Sequence, residues 1–225
     1  MIVHSDWLLT AQRLAIHVPT ATAVVADLHL GYNECRRHGG DAVPLFDLEK
    51  QLEPLGKALR NHGVHRLVIA GDLFEAGYGP ELAREFQQWL ANTRVELTAM
   101  VPGNHDRALD PKSESWPVFP EGFMLDGWRI LHGHEEIPPG PVVHGHVHPS
   151  LRWQGRKLPC FLVCSNRIVL PAYSLDAAGV NVAKDPTWHG NRCFAIREGR
   201  MVDVGALGPE SKWAFKKMQQ TSRDG

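Results

Sequence analysis

Three stretches in the first half of the chain share one pattern: an apolar run that stops abruptly at acidic, amide or imidazole side chains. They are "TATAVVADLHLG" at 20–31, "HRLVIAGDLFEAGYG" at 65–79 and "VELTAMVPGNHD" at 95–106. Short apolar runs bounded by turn residues predict buried strands that run out into loops. Between them the period changes. In "PLFDLEKQLEPLGKALRNHG" Leu45, Leu48, Leu52, Leu55 and Leu59 recur at three- and four-residue spacing, which predicts a helix ended near Gly63 and kinked or broken at Pro54. A second helix is predicted over about 80–92, with Pro80 in its first turn and Leu82, Phe86, Trp89 and Leu90 on one face. Strand, helix, strand, helix, strand predicts a parallel sheet flanked by helices.

The second half changes character. "GWRILHGHEE", "GPVVHGHVHP", "PCFLVCSNRIVLPAYS" and "NRCFAIREGRMVDVG" predict short strands joined by close turns. "QGRK" (154–157) and "REGR" (197–200) predict hairpin turns, with glycine supplying positive φ. Helical periodicity returns only in "ESKWAFKKMQQ". Residues 110–122 are the longest irregular stretch and are expected to form a loop beside the site, with the last five residues frayed. The fold class is α/β, and 225 residues without repeat or linker predict a single domain over 1–225.

Composition narrows the partners. A net charge of -1 gives no global field for a polyanion, so any phosphate-bearing substrate must be met by a local patch. No apolar run reaches the roughly 18 residues a membrane helix needs, and the N-terminus lacks the pattern of a signal peptide, so a cytoplasmic protein with no membrane contact is expected. Cys35, Cys160, Cys164 and Cys193 are scattered and fit reduced thiols, with Cys160 and Cys164 read as strand residues and not as a zinc site. The unusual count is histidine: of 13, five fall between 132 and 148, which surface composition does not explain.

Those histidines complete a constellation. Asp27 and His29, Asp72, Asn104 with His105 and Asp106, His132 with His134, and His146 with His148 all follow predicted strands. Carboxyl ends of parallel strands emerge on one edge of a sheet, so these groups are expected to converge. Carboxylate, imidazole and amide oxygen form a ligand mix for Mn, Fe or Zn. So many ligands exceed the needs of one ion, and two ions about 3.5–4 Å apart, with a nucleophilic water between them, use them all. Asp72, alone after Gly71, is the natural bridge. Gly103, Gly133 and Gly145 stand beside other candidates, where the missing Cβ permits a sharp turn.

"ADLHLG", "GDLFEAG", "VPGNHDR", "LHGHE" and "GHVHP" resemble, in order, the five motifs of the calcineurin-like metallophosphoesterases. They span residues 27–148, about half of the chain. Within that family the flanking segments "VADLHLGYNECRRHGGDAVP" and "HVHPSLRWQGRKLPCFLV" resemble the ligase-associated DNA damage response endonuclease (PdeM-type) group. The resemblance implies a four-layer αββα sandwich of two mixed sheets flanked by helices. It implies Asp27, His29 and His148 on one metal, Asn104, His132 and His146 on the other, and Asp72 on both. In "ILHGHE" His132 matches the motif, which leaves His134 near the substrate or behind the ligand. Glu75 stands where the family often has Asp.

The implied activity is hydrolysis of phosphodiesters, in nucleic acid or a nucleotide, with two divalent cations, Mn foremost and Fe, Zn or Ni as alternatives. His105 resembles the family's general acid, with Asp106 expected to orient its imidazole and Asn104 to donate its amide to a phosphate oxygen. Arg107, Arg36 and Arg37 are the candidate phosphate-binding cations, and His144 is expected to be structural. A phosphoester substrate, a DNA-repair ligase or helicase, and a second copy of the chain are the implied partners. The rival readings are a small-molecule phosphomonoesterase or cyclic nucleotide phosphodiesterase, and a non-catalytic scaffold on the same fold.

Overall fold

A computed structural model describes residues 1–45, 47–75, 79–106 and 116–209. The first sheet has six strands in sequence order: β1 (Ile2–Val3), β2 (Trp7–Leu9), β3 (Ala15–His17), β4 (Thr22–Val25), β5 (Arg66–Ala70) and β6 (Glu96–Val101). β4, β5 and β6 are parallel to one another, whereas β1 to β4 form an antiparallel meander. Alternation along the central strands sends Ala23, Val25, Leu67 and Ile69 to one face and Val24, Val68 and Ala70 to the other, and both sets are buried. Strands covered on both faces read as continuous apolar runs, which is why they were recognisable in sequence.

Three helices accompany this sheet: α1 (Tyr32–His38), α2 (Leu48–Asn61) and α3 (Pro80–Thr93). α2 lays Leu48, Leu52, Leu55 and Leu59 on the sheet, and α3 adds Phe86, Trp89 and Leu90 to the same core. Of the kink or break expected at Pro54, there is no break: the helix continues through it. Pro54 lies on the exposed face, so the lost backbone bond is set against four buried leucines, each worth about 1.5–3 kcal/mol. α1, seven residues without a buried side chain, had no periodic signature to announce it.

The second sheet is mixed and has nine strands: β7 (Phe123–Leu125), β8 (Trp128–Leu131), β9 (Val142–His144), β10 (Pro149–Trp153), β11 (Arg156–Cys164), β12 (Arg167–Val169), β13 (Val180–Asn181), β14 (Arg192–Arg197) and β15 (Arg200–Ala206). Both expected hairpins are present: Gln154–Gly155 joins β10 to β11, and Glu198–Gly199 joins β14 to β15, with positive φ at both central residues of each. That is the turn whose twist matches its strands.

Ile130, Val143, Phe161, Ile168 and Phe194 from this sheet meet Val24, Val68, Ala70 and Ala99 from the first, forming the core between the sheets. The outer face of the second sheet, carrying Leu151, Trp153 and Leu162, is capped by two 3-10 turns, Val182–Lys184 and Pro186–Trp188. The architecture is the expected α/β sandwich of two mixed sheets, with α-helices on one outer face and, among the described residues, 3-10 turns on the other. The helix expected at 210–220, the frayed end and part of the loop at 110–122 lie outside the described residues. No described helix is long and apolar enough to cross a membrane. All four cysteines are free thiols.

Candidate metal centre

At one rim of the sandwich the carboxyl ends of β4, β5 and β6 lie opposite those of β8 and β9. Each strand stops and the chain turns sharply. Asp27, His29, Asp72, His146 and His148 all have positive φ, between 47° and 67°. Such geometry costs an L-residue on the order of 1–3 kcal/mol and persists only where its surroundings over-determine it.

Here they do. The N–H of Asp27 donates to the Gly71 carbonyl at 3.0 Å, that of His29 to the Asp72 carbonyl at 2.9 Å, and that of Leu30 to the Leu73 carbonyl at 2.8 Å. The N–H of His146 donates to the Asp27 carboxylate at 3.0 Å, and that of His105 to the Asp72 carboxylate at 2.9 Å. Two glycines allow this closeness. A Cβ on Gly71 would run into the His132 ring, and one on Gly103 would run into the Asp72 carboxylate and backbone.

The side chains form three linked triads whose ligand atoms lie within 4.8 Å of one another: Asp27 with His29 and His148, His29 with Asp72 and His105, and Asp72 with His132 and His146. His29 and Asp72 each belong to two triads, so the clusters form one chain. Asp27 and Asp72 are buried. His132 Nε2 sits 3.2 Å from the Asp27 carboxylate and 3.3 Å from that of Asp72. His148 Nε2 is 3.4 Å from Asp27.

Burial works to raise the Asp27 pKa, but hydrogen bonds and charge from His132 and His148 outweigh it and bring it to about 2. Asp72 is lowered too: burial opposes the shift, and His132 drives it. Burial works to lower His132, yet the two carboxylates raise it to about 9. The pocket thus concentrates negative charge and draws a positive one into its centre. A buried His29 Nε2 has no hydrogen-bond partner among the described residues. An orphaned imidazole nitrogen beside two buried carboxylates is the donor set a divalent cation requires.

The surroundings of His105 differ from those expected. Asp106 is buried, but its carboxylate accepts the N–H groups of Gly103 at 2.9 Å, Leu73 at 3.2 Å and Phe74 at 3.1 Å. It stitches the loop after β6 to the loop after β5, and burial outweighs these bonds to raise its pKa. The carboxylate facing His105 is that of Glu75, with Oε1 3.4 Å from His105 Nδ1 and Oε2 2.6 Å from His29 Nδ1. Asp106 is therefore not the group that orients His105.

His132 and His134 separate clearly. His132 is buried among the carboxylates, and His134 is exposed with its Nδ1 2.9 Å from that of His132. Such a contact fixes the orientation of the inner ring. Asn104 follows β6 on the loop that carries His105. His144 lies outside the triads, with its Nδ1 3.0 Å from the Gly145 carbonyl, and burial lowers its pKa to about 4. Arg36 and Arg37 lie on α1, exposed, outside the triads, and Arg36 is engaged by Asp41 at 2.8 Å. Arg107 lies outside the described residues. Arg13, which no motif singled out, crosses between the sheets and donates to the Tyr173 carbonyl at 2.5 Å.

Comparisons with known proteins agree with this geometry. The crystal structure of Pseudomonas putida nuclease MPE superposes with a TM-score of 0.74 and 26% sequence identity, over 91% of this chain and 98% of that one. No curated protein is matched by sequence. The calcineurin-like phosphoesterase family matches residues 21–162, which include all seven candidate ligands. The chain belongs to the calcineurin-like phosphoesterase family and is a metal-dependent phosphoester hydrolase.

Proposed function

We propose that the protein is a dinuclear phosphodiesterase acting on nucleic acid or a nucleotide. The observation that carries this reading is the chain of triads joined through His29 and Asp72. One ion fits Asp27, His29 and His148; the other fits Asn104, His132 and His146; Asp72 lies within reach of both sets. Mn is the foremost cation in this reading, and the same mixture of carboxylate, imidazole and amide oxygen also accepts Fe, Zn or Ni. Cations held by these residues would supply charge to neutralise phosphate oxygens and would lower the pKa of a bound water, making it a nucleophile. The structural relative is a nuclease, which supports a diester as substrate.

The side chains carry the remaining work. His105, half-buried at the rim, delivers a proton to the departing alkoxide, with Glu75 holding its Nδ1 side. Glu75 also holds His29, so one carboxylate sets the spacing between a ligand and the proton donor. The Asn104 amide donates to a phosphate oxygen. His134 keeps the His132 ring in place.

The test is turnover of the His105→Asn variant with Mn. A general acid contributes typically about 10²- to 10⁴-fold, and only where the leaving group needs a proton. Turnover of a dinucleotide should therefore fall by that order, while bis-p-nitrophenyl phosphate, whose nitrophenolate leaves unprotonated, should lose far less, with metal content unchanged. Equal losses on both esters would remove His105 from the role, and faster hydrolysis of p-nitrophenyl phosphate than of the diester would favour a monoesterase.

A further inference from the structure

A cavity of about 530 Å³ opens beside the metal centre, and His29 forms part of its wall. Leu28, Leu30 and Leu52 supply an apolar floor, and the phenol rings of Tyr32 and Tyr173 supply aromatic surface. Amides and a cation share the lining: Gln12, Asn33 and the exposed Lys50. The volume lies within the range of small-ligand sites, about 300–1,000 Å³.

One side of the cavity is the segment at 173–178, and its backbone is tied to the metal centre. The N–H of Ser174 donates to the Asp27 carbonyl at 3.0 Å, that of Tyr173 to the Ala26 carbonyl at 2.9 Å, and His148 Nδ1 meets the Ala178 carbonyl at 3.0 Å. Lys157 also donates to the Ala177 carbonyl. Between these anchors Leu175 is 80% exposed, the most exposed large apolar side chain described. A leucine held in water by a fixed backbone, at the mouth of a cavity that shares a wall with the ligands, is a contact surface for something that enters.

We propose that this cavity is a nucleobase subsite, taking one base of the substrate next to the scissile phosphate. The proposal rests on the phosphodiesterase reading and specifies which part of the substrate the protein grips. A flat aromatic ring with a polar edge is what the lining fits: Tyr32 and Leu175 meet the ring face, the amides of Asn33 and Gln12 meet hydrogen-bonding edges, and the Lys50 ammonium meets a neighbouring phosphate. A lipid chain leaves those amides and the cation without partners. A simple sugar leaves the leucines and phenols unused. The lining also holds one acidic group, Asp176, and the Arg36 guanidinium, paired with Asp41, lies 5.8 Å from the Tyr32 ring centre.

Two diesters that release the same p-nitrophenolate isolate the effect: thymidine 5′-(p-nitrophenyl phosphate) and methyl p-nitrophenyl phosphate, assayed with Mn. Stacking of a base on an aromatic side chain predicts a kcat/KM ratio of roughly tenfold or more in favour of the thymidine ester. Tyr32→Ala and Leu175→Asp should each bring the ratio towards one. A wild-type ratio near one, or a ratio unmoved by both substitutions, overturns the subsite. So does bis-p-nitrophenyl phosphate matching the thymidine ester, because any aromatic ester then suffices.

Calorimetric titration of the Mn-loaded protein separates this failure from failure of the catalytic reading. Thymidine 5′-monophosphate should bind more tightly than inorganic phosphate, and Tyr32→Ala should remove the difference. Loss of all turnover with that difference intact defeats the phosphodiesterase and leaves the base site. Equal binding of the two ligands defeats the base site whatever the turnover.

Discussion

At the scale of single residues the centre depends on atoms that are missing. Gly103 lets the loop after β6 lie against the Asp72 carboxylate, and no rotamer of an added methyl avoids that contact because part of the obstacle is backbone. Gly103→Ala should therefore cost stability at or above the usual 1–3 kcal/mol of overpacking, about the upper end, and should weaken metal binding about tenfold or more by displacing Asp72. Urea unfolding and metal titration measure the two effects. Gly208→Ala, with open space around its Cβ position and no positive φ, should lie within about 0.5 kcal/mol of the parent. Equal behaviour of the two variants would show that the close approach at Gly103 is dispensable. The same scale marks where sequence reading stopped. The candidate ligands at strand ends were legible because each interrupts an apolar run. Glu75 was not read as a partner of His105, since the contact depends on how two loops pack, and Asp106 was read as one only because it is adjacent in the chain.

Among elements, what could be read followed length and burial. β4, β5 and β6 carry apolar runs and α2 and α3 repeat a period several times, whereas β1 to β3 have two or three residues each and leave no pattern to count. The segment after β12 is another element without periodicity, yet it joins α2 to the metal loops. Tyr173 lies there, packed against the core beneath α2. Burial pushes its phenol up to about 12, against the pull of the nearby Arg13 guanidinium. The neutral form is thus favoured in the fold, and the unfolded chain, titrating near 10, loses its proton first. Between pH 10 and 12 the folded state holds more protons, so stability is full below 10 and falls as pH rises, by about 2 kcal/mol across the window. Tyr173→Phe should flatten that part of a stability-versus-pH curve obtained by urea unfolding. An identical slope in the variant would mean that Tyr173 ionises in the fold as it does in water.

For the molecule as a whole, the decisive feature is that neither sheet owns the site. Asp27, His29, Asp72 and Asn104 follow strands of the first sheet, and His132, His146 and His148 follow strands of the second. The apolar core between the sheets holds them together, but at this edge the buried Asp27 and Asp72 carboxylates of the first sheet crowd one another and face His132 and His148 of the second as their counter-charges. Cations bound there would cross-link the two sheets and bind the folded state alone. Linkage then sets the scale: ligand at a hundred times its Kd adds about 2.7 kcal/mol, and in a chain of this size each kcal/mol moves Tm by about 2–4 °C. Dialysis against a chelator should accordingly lower Tm by roughly 5–10 °C for each site emptied, and Mn should restore it in a concentration-dependent way. The His132→Ala, His146→Ala double variant, which leaves the set Asp27, His29 and His148 intact, should keep about half of the Mn-dependent shift if there are two sites. Full loss of the shift in that variant would point to a single ion, and a Tm indifferent to both chelator and Mn would mean that the seam closes without metal.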